Sequence, residues 1–235
     1  NTFIGKDSGK GFTTGGYNNA LGAEALDALT TGVENQAMGV GALGSITTQN
    51  ANVAIGSYAG NSIAGSDSRD NIIIGNYAGS GGSGTLKRNI AIGVNALNST
   101  GAADVIGAVA IGYDALTAAN NGNIDYSVAI GHSALSQIQS GQHNVGIGYQ
   151  ALTATNGGQF NVAIGSEAGK FQVTGGPNVM IGYQAARGNF GDSHSYTIAI
   201  GYQAAYAITT AQNTVALGYR AGYALTSGPR NVLLG

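Results

Sequence analysis

An aliphatic–glycine pair recurs through the whole chain at an almost constant interval, and this repeat constrains the fold more than any other feature. Each repeat glycine at position i is followed by the next at i+17, i+18 or i+19. A fixed period of this size means that one small structural unit is built again and again, and that each unit buries its apolar face by stacking on its neighbours. The repeat glycines are Gly5, Gly22, Gly39, Gly56, Gly75, Gly93, Gly112, Gly131, Gly148, Gly165, Gly182, Gly201, Gly218 and Gly235.

The residues around each repeat glycine are also strongly restricted. Ile, Leu or Met precedes the glycine in all fourteen repeats, and Ala follows it three positions later in twelve of the thirteen complete repeats. Asn stands four positions before the glycine in ten repeats, and the other four carry Ala108, Ser127, Thr197 and Thr214. The consensus is therefore N-V-A-I-G-Y-x-A-L, followed by a variable segment rich in Thr, Gly and Asn.

Each period contains two short apolar segments separated by turns. The first, such as residues 161–164, is rich in β-branched residues and ends at a glycine, which is typical of a short strand. The second, such as residues 25–29, ends in the turn T-T-G at residues 30–32. This unit, repeated without helices, predicts an all-β parallel β-solenoid of about 13 coils with 17–19 residues per coil, forming one domain over residues 1–235.

The repeat Gly and the repeat Asn each have a predicted structural role. Gly after the aliphatic residue suits a corner that needs a positive φ or a close approach of two backbones. The Asn amide can bond to the Asn of the next coil and so form a ladder, although a solvent-facing turn residue would show the same pattern.

Both faces of the repeated strand are apolar. Alternation places Val162 and Ile164 on one face and Ala163 on the other. Strands that are apolar on both faces are normally covered on both. Because a single coil has only one interior, the sequence predicts a parallel homo-oligomer, and we expect the face that carries Ala163 to lie between the copies.

Two stretches of the repeat resemble known families. The string S-V-A-I-G-H-S-A at residues 127–134 resembles the head repeats of trimeric autotransporter adhesins, the YadA-like β-roll. The longer form N-V-A-I-G-Y-x-A-L, followed by a T-T-G turn, is similar to repeat arrays of phage tail fibres.

The resemblance implies a left-handed β-roll assembled as a parallel homotrimer, forming an extracellular segment of a longer fibre. It implies attachment and receptor binding at a virion tail fibre or a bacterial cell surface, with a surface glycan or a protein as receptor. The adhesin head repeat is usually shorter than the repeat of this chain, which favours the phage tail fibre. A bacterial trimeric surface adhesin or extracellular filament subunit is the alternative.

Charge and composition argue against several other classes of function. The net charge is −2 with only 9 Lys and Arg residues, so a nucleic-acid partner is not expected. No apolar run reaches the roughly 18–20 residues of a membrane span, so we expect no membrane insertion by this segment. The absence of Cys removes disulfides and Cys-based metal sites.

The sequence offers little for catalysis, metal binding or cofactor binding. Gly39, Gly41 and Gly44 match the dinucleotide fingerprint G-x-G-x-x-G, but that motif requires a strand followed by a helix. The three His residues occupy different positions of the repeat, so stacking does not bring them together as metal ligands. We therefore expect a protein that is not an enzyme and has no catalytic residues, metal or cofactor.

Aromatic residues form two stripes that a solenoid would stack into columns. They are expected to be either glycan-contact residues or a packing ladder, in which stacked rings stabilise a corner. The first stripe follows the repeat Gly directly, and the second stands five positions before it. These residues are Tyr113, His132, Tyr149, Tyr183, Tyr202 and Tyr219 in the first stripe, and Tyr126, His143, Phe160 and Tyr196 in the second.

The variable segments suggest three further features. Asp70 and Arg88 share a register position on adjacent coils, which predicts a surface ion pair. Threonine pairs such as 13–14 and 30–31 suggest an ice-binding solenoid as a less favoured third class of function, although Ala64 interrupts their register. The longer periods place their extra residues in one turn, and we expect these loops to protrude and to mark a binding edge. They cover residues 66–70, 80–88, 98–107, 117–125 and 187–195.

Overall fold

A computed structural model describes residues 1–63, 65–117 and 123–235. In these residues the chain is all-β without a helix and forms a parallel β-solenoid of about 13 turns, which confirms the predicted fold class. The chain divides into two compact units, Asn1–Asn123 and Ile124–Gly235.

Both units use the same short strand, which ends immediately before the repeat glycine. In the first unit the main-sheet strands are β1 (Thr2–Ile4), β2 (Asn19–Leu21), β3 (Gln36–Met38), β4 (Val53–Ile55), β5 (Ile72–Ile74), β7 (Ile90–Ile92) and β9 (Val109–Ile111), and a second sheet pairs β6 (Leu86–Lys87) with β8 (Val105–Ile106). In the second unit they are β10 (Val128–Ile130), β11 (Val145–Ile147), β12 (Asn161–Ile164), β13 (Asn178–Ile181), β14 (Ile198–Ile200), β15 (Val215–Leu217) and β16 (Val232–Leu234).

Strand pairing places each residue on its counterpart in the next coil. Val162 of β12 pairs with Val179 of β13, and Val53 of β4 pairs with Ile72 of β5 across a longer coil. These two offsets agree with the shortest and the longest predicted coil. Extra residues are therefore absorbed in the variable turns, and the strand register is unchanged.

The repeat glycine is required by both its backbone conformation and its surroundings. Gly165 has a φ of 137°, a region that residues with a side chain rarely adopt. A Cβ at Gly165 would also overlap the carbonyl of Gly182 in the next coil. Both predicted reasons for glycine at this corner are thus confirmed.

The repeat Asn side chains form a buried amide ladder, as one of the two interpretations predicted. Asn161 Nδ2 donates to Asn144 Oδ1 at 3.1 Å, and Asn178 Nδ2 donates to Asn161 Oδ1 at 2.8 Å. Each amide also donates to a carbonyl of the following coil, as Asn178 does to His194 O at 3.0 Å. Because these side chains are buried, the ladder satisfies polar groups that water cannot reach.

Non-glycine residues adopt left-handed backbone at three positions of the coil, a feature that the sequence did not indicate. These positions lie two and four residues after the repeat glycine and five before it. Leu152 has a φ of 51° and Tyr126 a φ of 57°, values that are uncommon for bulky residues. The backbone is held there by hydrogen bonds between coils, such as that from Leu152 N to Ala168 O at 3.0 Å.

The structure corrects the prediction of which strand face points inward. Ala163 is fully buried in the coil interior, whereas Ile164 remains 38% exposed and Val162 is half-buried. The face that carries Ala163 therefore cannot lie between copies, and the outward apolar face is the one formed by Val162 and Ile164. The physical reason is volume, because the six buried Leu side chains that stand four positions after a repeat glycine fill the interior and leave space only for a small residue on the strand.

The coil interior is filled from three positions of the repeat. The strand contributes its middle residue, and the second apolar segment contributes residues four and seven positions after the repeat glycine. Leu26, Leu29, Leu135 and Ile138 are examples from this second segment, and all four are fully buried.

Coils with a larger inward strand residue have a compensating glycine. Met180 replaces the usual Ala, and a Cβ at Gly169 in the preceding coil would lie 2.8 Å from Met180 Sδ. Ile73 likewise lies against Gly79, where other coils carry Leu. Phe3 lies against Gly9, and Leu233 against Gly222, in the same way. A large residue on the strand is therefore compensated by a glycine at the neighbouring interior position, so that the total interior volume stays similar.

The insertions do not simply protrude, as the sequence suggested. Leu86 and Val105 lie in two of them, are buried, and pair with each other in the second sheet. Another insertion carries the buried residue His194. An insertion thus adds one inward side chain to its coil as well as surface residues. The insertion at 117–125 falls largely on residues 118–122, outside the described part of the chain, as does Ala64.

Candidate functional site

Parallel stacking brings part of the first aromatic stripe into a ladder in the second unit. The ring centroids of Tyr183 and Tyr202 are 5.2 Å apart, and those of Tyr202 and Tyr219 are 5.4 Å apart, with interplanar angles of 21° and 14°. His132 and Tyr149 lie 5.5 Å apart but are tilted by 44°. We call Tyr183, Tyr202 and Tyr219 the tyrosine ladder.

The remaining members of the first stripe are separated from the tyrosine ladder. Ser166 stands in the same column between Tyr149 and Tyr183 and carries no ring. Tyr113 belongs to the first unit, where its side chain is exposed. Ser166 therefore separates the tyrosine ladder from the rings of His132 and Tyr149.

The second stripe forms a shorter ladder. Tyr126 and His143 stack at 5.3 Å, and His143 and Phe160 stack at 5.1 Å, with interplanar angles of 12° and 5°. Pro177 occupies the next coil in this column, and Tyr196 lies one coil beyond it with its ring exposed. The left-handed backbone at these positions turns the rings outward from the corner.

Stacking restricts what these rings can offer to a ligand. A sugar ring packs on the face of an aromatic ring, but in a ladder each inner ring has both faces against its neighbours. The inner rings therefore present edges and hydroxyl groups, and only the end rings keep an uncovered face. In the tyrosine ladder Tyr183 is such an end ring, because the coil before it carries Ser166 in this column.

A third aromatic group was missed by sequence reasoning. Tyr206 and Tyr223 stack at 4.9 Å with an angle of 6° between their planes. The guanidinium of Arg220 lies 4.9 Å from the Tyr223 centroid, and that of Arg187 lies 4.6 Å from the Phe171 centroid. The sequence contained an indication of this stack, since Tyr206 and Tyr223 both stand five positions after a repeat glycine. Other coils carry varied residues at that position, so no stripe was evident.

Glu167 is the centre of a charged cluster on the second unit. Lys170 Nζ lies 2.6 Å and Arg187 Nε 3.1 Å from its carboxylate, and Gln184 Nε2 donates to it at 2.7 Å. Burial opposes ionisation of Glu167, but the hydrogen bonds from Lys170, Gln184 and Arg187 outweigh it and lower its pKa to about 2.

A chain of side-chain hydrogen bonds starts at Glu167 and crosses successive coils. Gln203 Nε2 donates to Gln184 Oε1 at 2.8 Å, and Arg220 Nε donates to Gln203 Oε1 at 2.9 Å. The amides are aligned from the cation of Arg220 to the anion of Glu167, so each bond polarises the next. This arrangement stabilises the stacking and engages both carboxylate oxygens of Glu167 in hydrogen bonds.

The interior of the second unit contains a group of polar side chains without partners in the described residues. Neither ring nitrogen of the fully buried His194 has a hydrogen bond, and the same holds for Gln172 Oε1 and Thr197 Oγ1. Burial lowers the pKa of His194 to about 4, so this side chain is neutral at pH 7. Asp192 lies two residues away, and burial raises its pKa, with the hydrogen bond from Asn189 N acting against this.

The predicted ion pair between Asp70 and Arg88 is wrong. Asp70 lies instead 3.6 Å from Arg69 Nε, and Asp67 contacts both Arg69 and Lys87. The register was correct, but left-handed backbone at both positions directs the side chains along the surface rather than toward each other. Hydrogen bonds from Lys87 and Arg69 lower the pKa of the exposed Asp67.

The threonine pairs use their hydroxyl groups within the protein. Thr13 Oγ1 donates to Thr30 O at 3.0 Å, and Thr30 Oγ1 donates to Thr47 O at 3.0 Å. These hydroxyl donors connect successive coils, so they are not available to order water on a flat surface.

The outward strand face is a continuous and mostly aliphatic surface in each unit. Every strand of the main sheet contributes two outward residues, at positions one and three before the repeat glycine, and none of them is charged. Leu21 is 47% and Met38 50% exposed. In the second unit Ile198 is 40% and Ile200 39% exposed, so both units present this face to the solvent.

An exposed apolar surface that continues from strand to strand is a common site of protein association. We call these outward columns the aliphatic face.

The described residues contain neither a metal-binding cluster nor a membrane-spanning helix. Within residues 1–63, 65–117 and 123–235, no three His, Asp or Glu side chains are grouped closely enough to hold a metal ion. In the same residues no helix has the length and apolar character needed to cross a lipid bilayer.

The geometry defines the protein as a parallel β-solenoid repeat protein. Comparison with protein-family models, with curated proteins and with solved structures found no significant match. The repeat and the fold alone define this class of protein, and a fold by itself leaves the function to the surfaces that the coils present.

Proposed function

We propose that this chain is a non-enzymatic segment of an extracellular fibre, assembled as a parallel left-handed homotrimer, and that it serves attachment and receptor binding. The observation that carries the proposal is the aliphatic face, which extends through every strand of each unit without a charged residue. A fibre built from identical chains requires such a continuous side for lateral association. Side chains that could do chemistry, such as Glu167 and the repeat Asn residues, are instead engaged in bonds between coils.

The proposed fibre is a phage tail fibre, located on the virion. This choice is supported by the length of the coil, which exceeds that of the adhesin head repeat and is seen in strand offsets such as Val53 to Ile72. The second candidate is a bacterial trimeric surface adhesin or extracellular filament subunit, which the string at residues 127–134 favours. Both candidates share the same coil and the same mode of assembly.

A surface glycan or a protein receptor would contact the corners of the coils and not the aliphatic face, which the other chains cover. The end ring Tyr183 has an uncovered face for a sugar, on the side of the coil that carries Ser166. The proposal includes no nucleic-acid partner and no membrane insertion by this segment.

The mass of the intact assembly tests the proposal. Three chains of 23.3 kDa each form an assembly that light scattering coupled to size-exclusion chromatography distinguishes from one or two chains.

The variant I72K/I90K places two charges on the aliphatic face and is expected to dissociate, because a buried charge without a partner is strongly unfavourable. The control T14K/T31K adds the same charges at exposed turn positions and should remain trimeric. A wild-type chain that is a stable, folded monomer would contradict the proposal.

A further inference from the structure

The aliphatic face of the first unit is not uniform along its length. At the position three before the repeat glycine, the first three coils carry Thr2, Asn19 and Gln36, whereas the next four carry Val or Ile. The polar residues stand directly beside exposed aliphatic neighbours, among them Leu21 and Met38. A polar block is thus confined to one end of an otherwise apolar surface.

The hydrogen bonds of this polar block are only partly used within the chain. Asn19 Nδ2 donates to Gln36 Oε1 at 2.8 Å, and Gln36 Nε2 donates to Tyr17 O at 3.1 Å. A primary amide carries two donor hydrogens and an acceptor oxygen with two lone pairs, so Asn19 Oδ1 and one hydrogen on each amide remain to be satisfied. These groups are hydrated in a single chain and would lose water when the face is covered.

We propose that Asn19 and Gln36 set the register and direction in which copies of this chain pack through their aliphatic faces. This inference rests on the proposed self-assembly. The occupant of the face is a second copy of this chain. An amide both donates and accepts hydrogen bonds, so Asn19 and Gln36 of one copy can bond to the same residues of another copy that lie beside them.

Other arrangements leave amides buried without partners. In an antiparallel pair, the three polar coils of one copy would lie opposite later coils of the other, which all carry Val or Ile at this position. A slip by one coil in a parallel pair would place Gln36 of one copy against Val53 of the other. A buried polar group without a partner costs more than its hydrogen bond contributes, so only the parallel, level arrangement avoids this penalty. A single polar residue in an apolar seam specifies register in coiled coils by the same principle.

A shallow groove marks the same place. It has a volume of about 250 Å³ and lies over the first four coils, between the two outward columns, with Asn19, Leu21, Gln36 and Met38 among its lining residues. Aliphatic side chains of a second copy at the same level can enter this groove while the amides meet beside it.

The test uses the full chain with one spin label outside the aliphatic face. The protein has no Cys, so T31C provides a single labelling site at an exposed turn. Pulsed electron paramagnetic resonance then measures the distances between labels within one assembly. In the wild-type background we expect one narrow distance distribution. The variant N19V/Q36V introduces a residue that other coils already carry at this position, so it should fold and assemble while showing additional distances from slipped or reversed copies.

Two control variants isolate the role of the amides. N19Q/Q36N keeps both amides and should retain the single distance, and I72V/I90V alters the aliphatic face without removing a polar group and should do the same. If N19V/Q36V retains the single narrow distance, or if it dissociates into monomers, the proposed role in register is wrong although assembly itself stands. If the labelled wild-type chain shows no interaction between labels and has the mass of a monomer, the proposed function fails together with this inference.

Discussion

At the scale of single residues, the protein is stabilised by polar and glycine residues whose surroundings repeat in every coil. The Asn ladder is the main example, because each amide serves its own coil and the next one, as the bonds from Asn178 to Asn161 Oδ1 and His194 O illustrate. Where Thr197 replaces Asn, its backbone N still donates to Asn178 Oδ1 at 2.9 Å. The ladder therefore tolerates single interruptions.

His194 should make stability depend on pH. Its pKa is about 4 in the folded protein and 6.5 as a free side chain, so the unfolded chain binds a proton first as the pH falls. Stability is then fully present above pH 6.5 and declines below it, by roughly 2 kcal/mol between pH 7 and pH 5. Chemical denaturation at the two pH values measures this loss. The interval from pH 7 to pH 5 lies above the range in which Glu167 titrates, because the pKa of Glu167 falls from 4.5 to about 2 on folding.

The variant H194L tests the assignment of this pH dependence. Leu86 occupies the same register position in another insertion, so Leu should fit, and the variant should be more stable than wild type at pH 5 and lose most of the decline. Asp192 acts in the opposite direction, since a raised pKa favours the folded state as the pH falls, and it contributes to both proteins alike. The control H143Q changes an exposed histidine and should keep the decline. An unchanged decline in H194L would refute the assignment.

At the scale of the strand and its coil, packing depends on pairs of neighbouring positions. The inward strand residue and the residue four positions after the repeat glycine share one space, as Met180 and Gly169 do across two coils. Leu152, in the coil before Gly169, has a φ of 51°, close to the 57° of Gly169. The backbone at Gly169 therefore accepts a side chain, and only Met180 and Leu152 restrict its size.

The pair Met180 and Gly169 should behave as a compensating pair. G169L alone overfills the interior and should destabilise by about 1–3 kcal/mol, and M180A alone leaves a cavity and should cost about 2–5 kcal/mol. The double variant M180A/G169L moves the volume from one coil to the other and should be more stable than the sum of the single effects predicts. Denaturation of the four proteins gives the interaction energy, and strictly additive effects would show that the two positions do not share space.

At the scale of the whole molecule, the solenoid repeats one coil and keeps its strand register through insertions. Stability in such a chain is approximately a sum over coils and over the contacts between neighbours. The aliphatic face follows from the same repetition, since each coil adds two outward residues to the columns of its unit.

Removal of one full coil should leave the fold intact. Deletion of residues 149–165 removes one whole period and allows β11 to pair with β13 in the register that β12 now uses with each. We expect an unchanged circular dichroism spectrum per residue and a thermal midpoint lower by a few degrees. Deletion of residues 149–156 removes half a period and should abolish cooperative unfolding. If both deletions behaved alike, stability would not depend on whole coils.

The repeat was sufficient to predict the solenoid, its coil length and the corner glycine, because each depends on spacing and on local chemistry. It left the amide ladder as one of two interpretations, and the structure decided between them. Stacking of like residues made the aromatic columns and their interruptions at Ser166 and Pro177 visible in the sequence as well. The ring orientations were not predictable, as the tilt of 44° between His132 and Tyr149 illustrates.

Only the tertiary structure decided which strand face lies inside. Alternation shows that Val162 and Ile164 share one side and Ala163 the other, but both sides are apolar, so hydrophobicity cannot choose between them. The choice follows from volume, because six of the thirteen complete repeats place a buried Leu four positions after the repeat glycine, which leaves space for a small residue and not for Ile on the strand. The direction of side chains at the left-handed positions and the unpartnered burial of His194 likewise arise from contacts between coils, which no single period of the sequence contains.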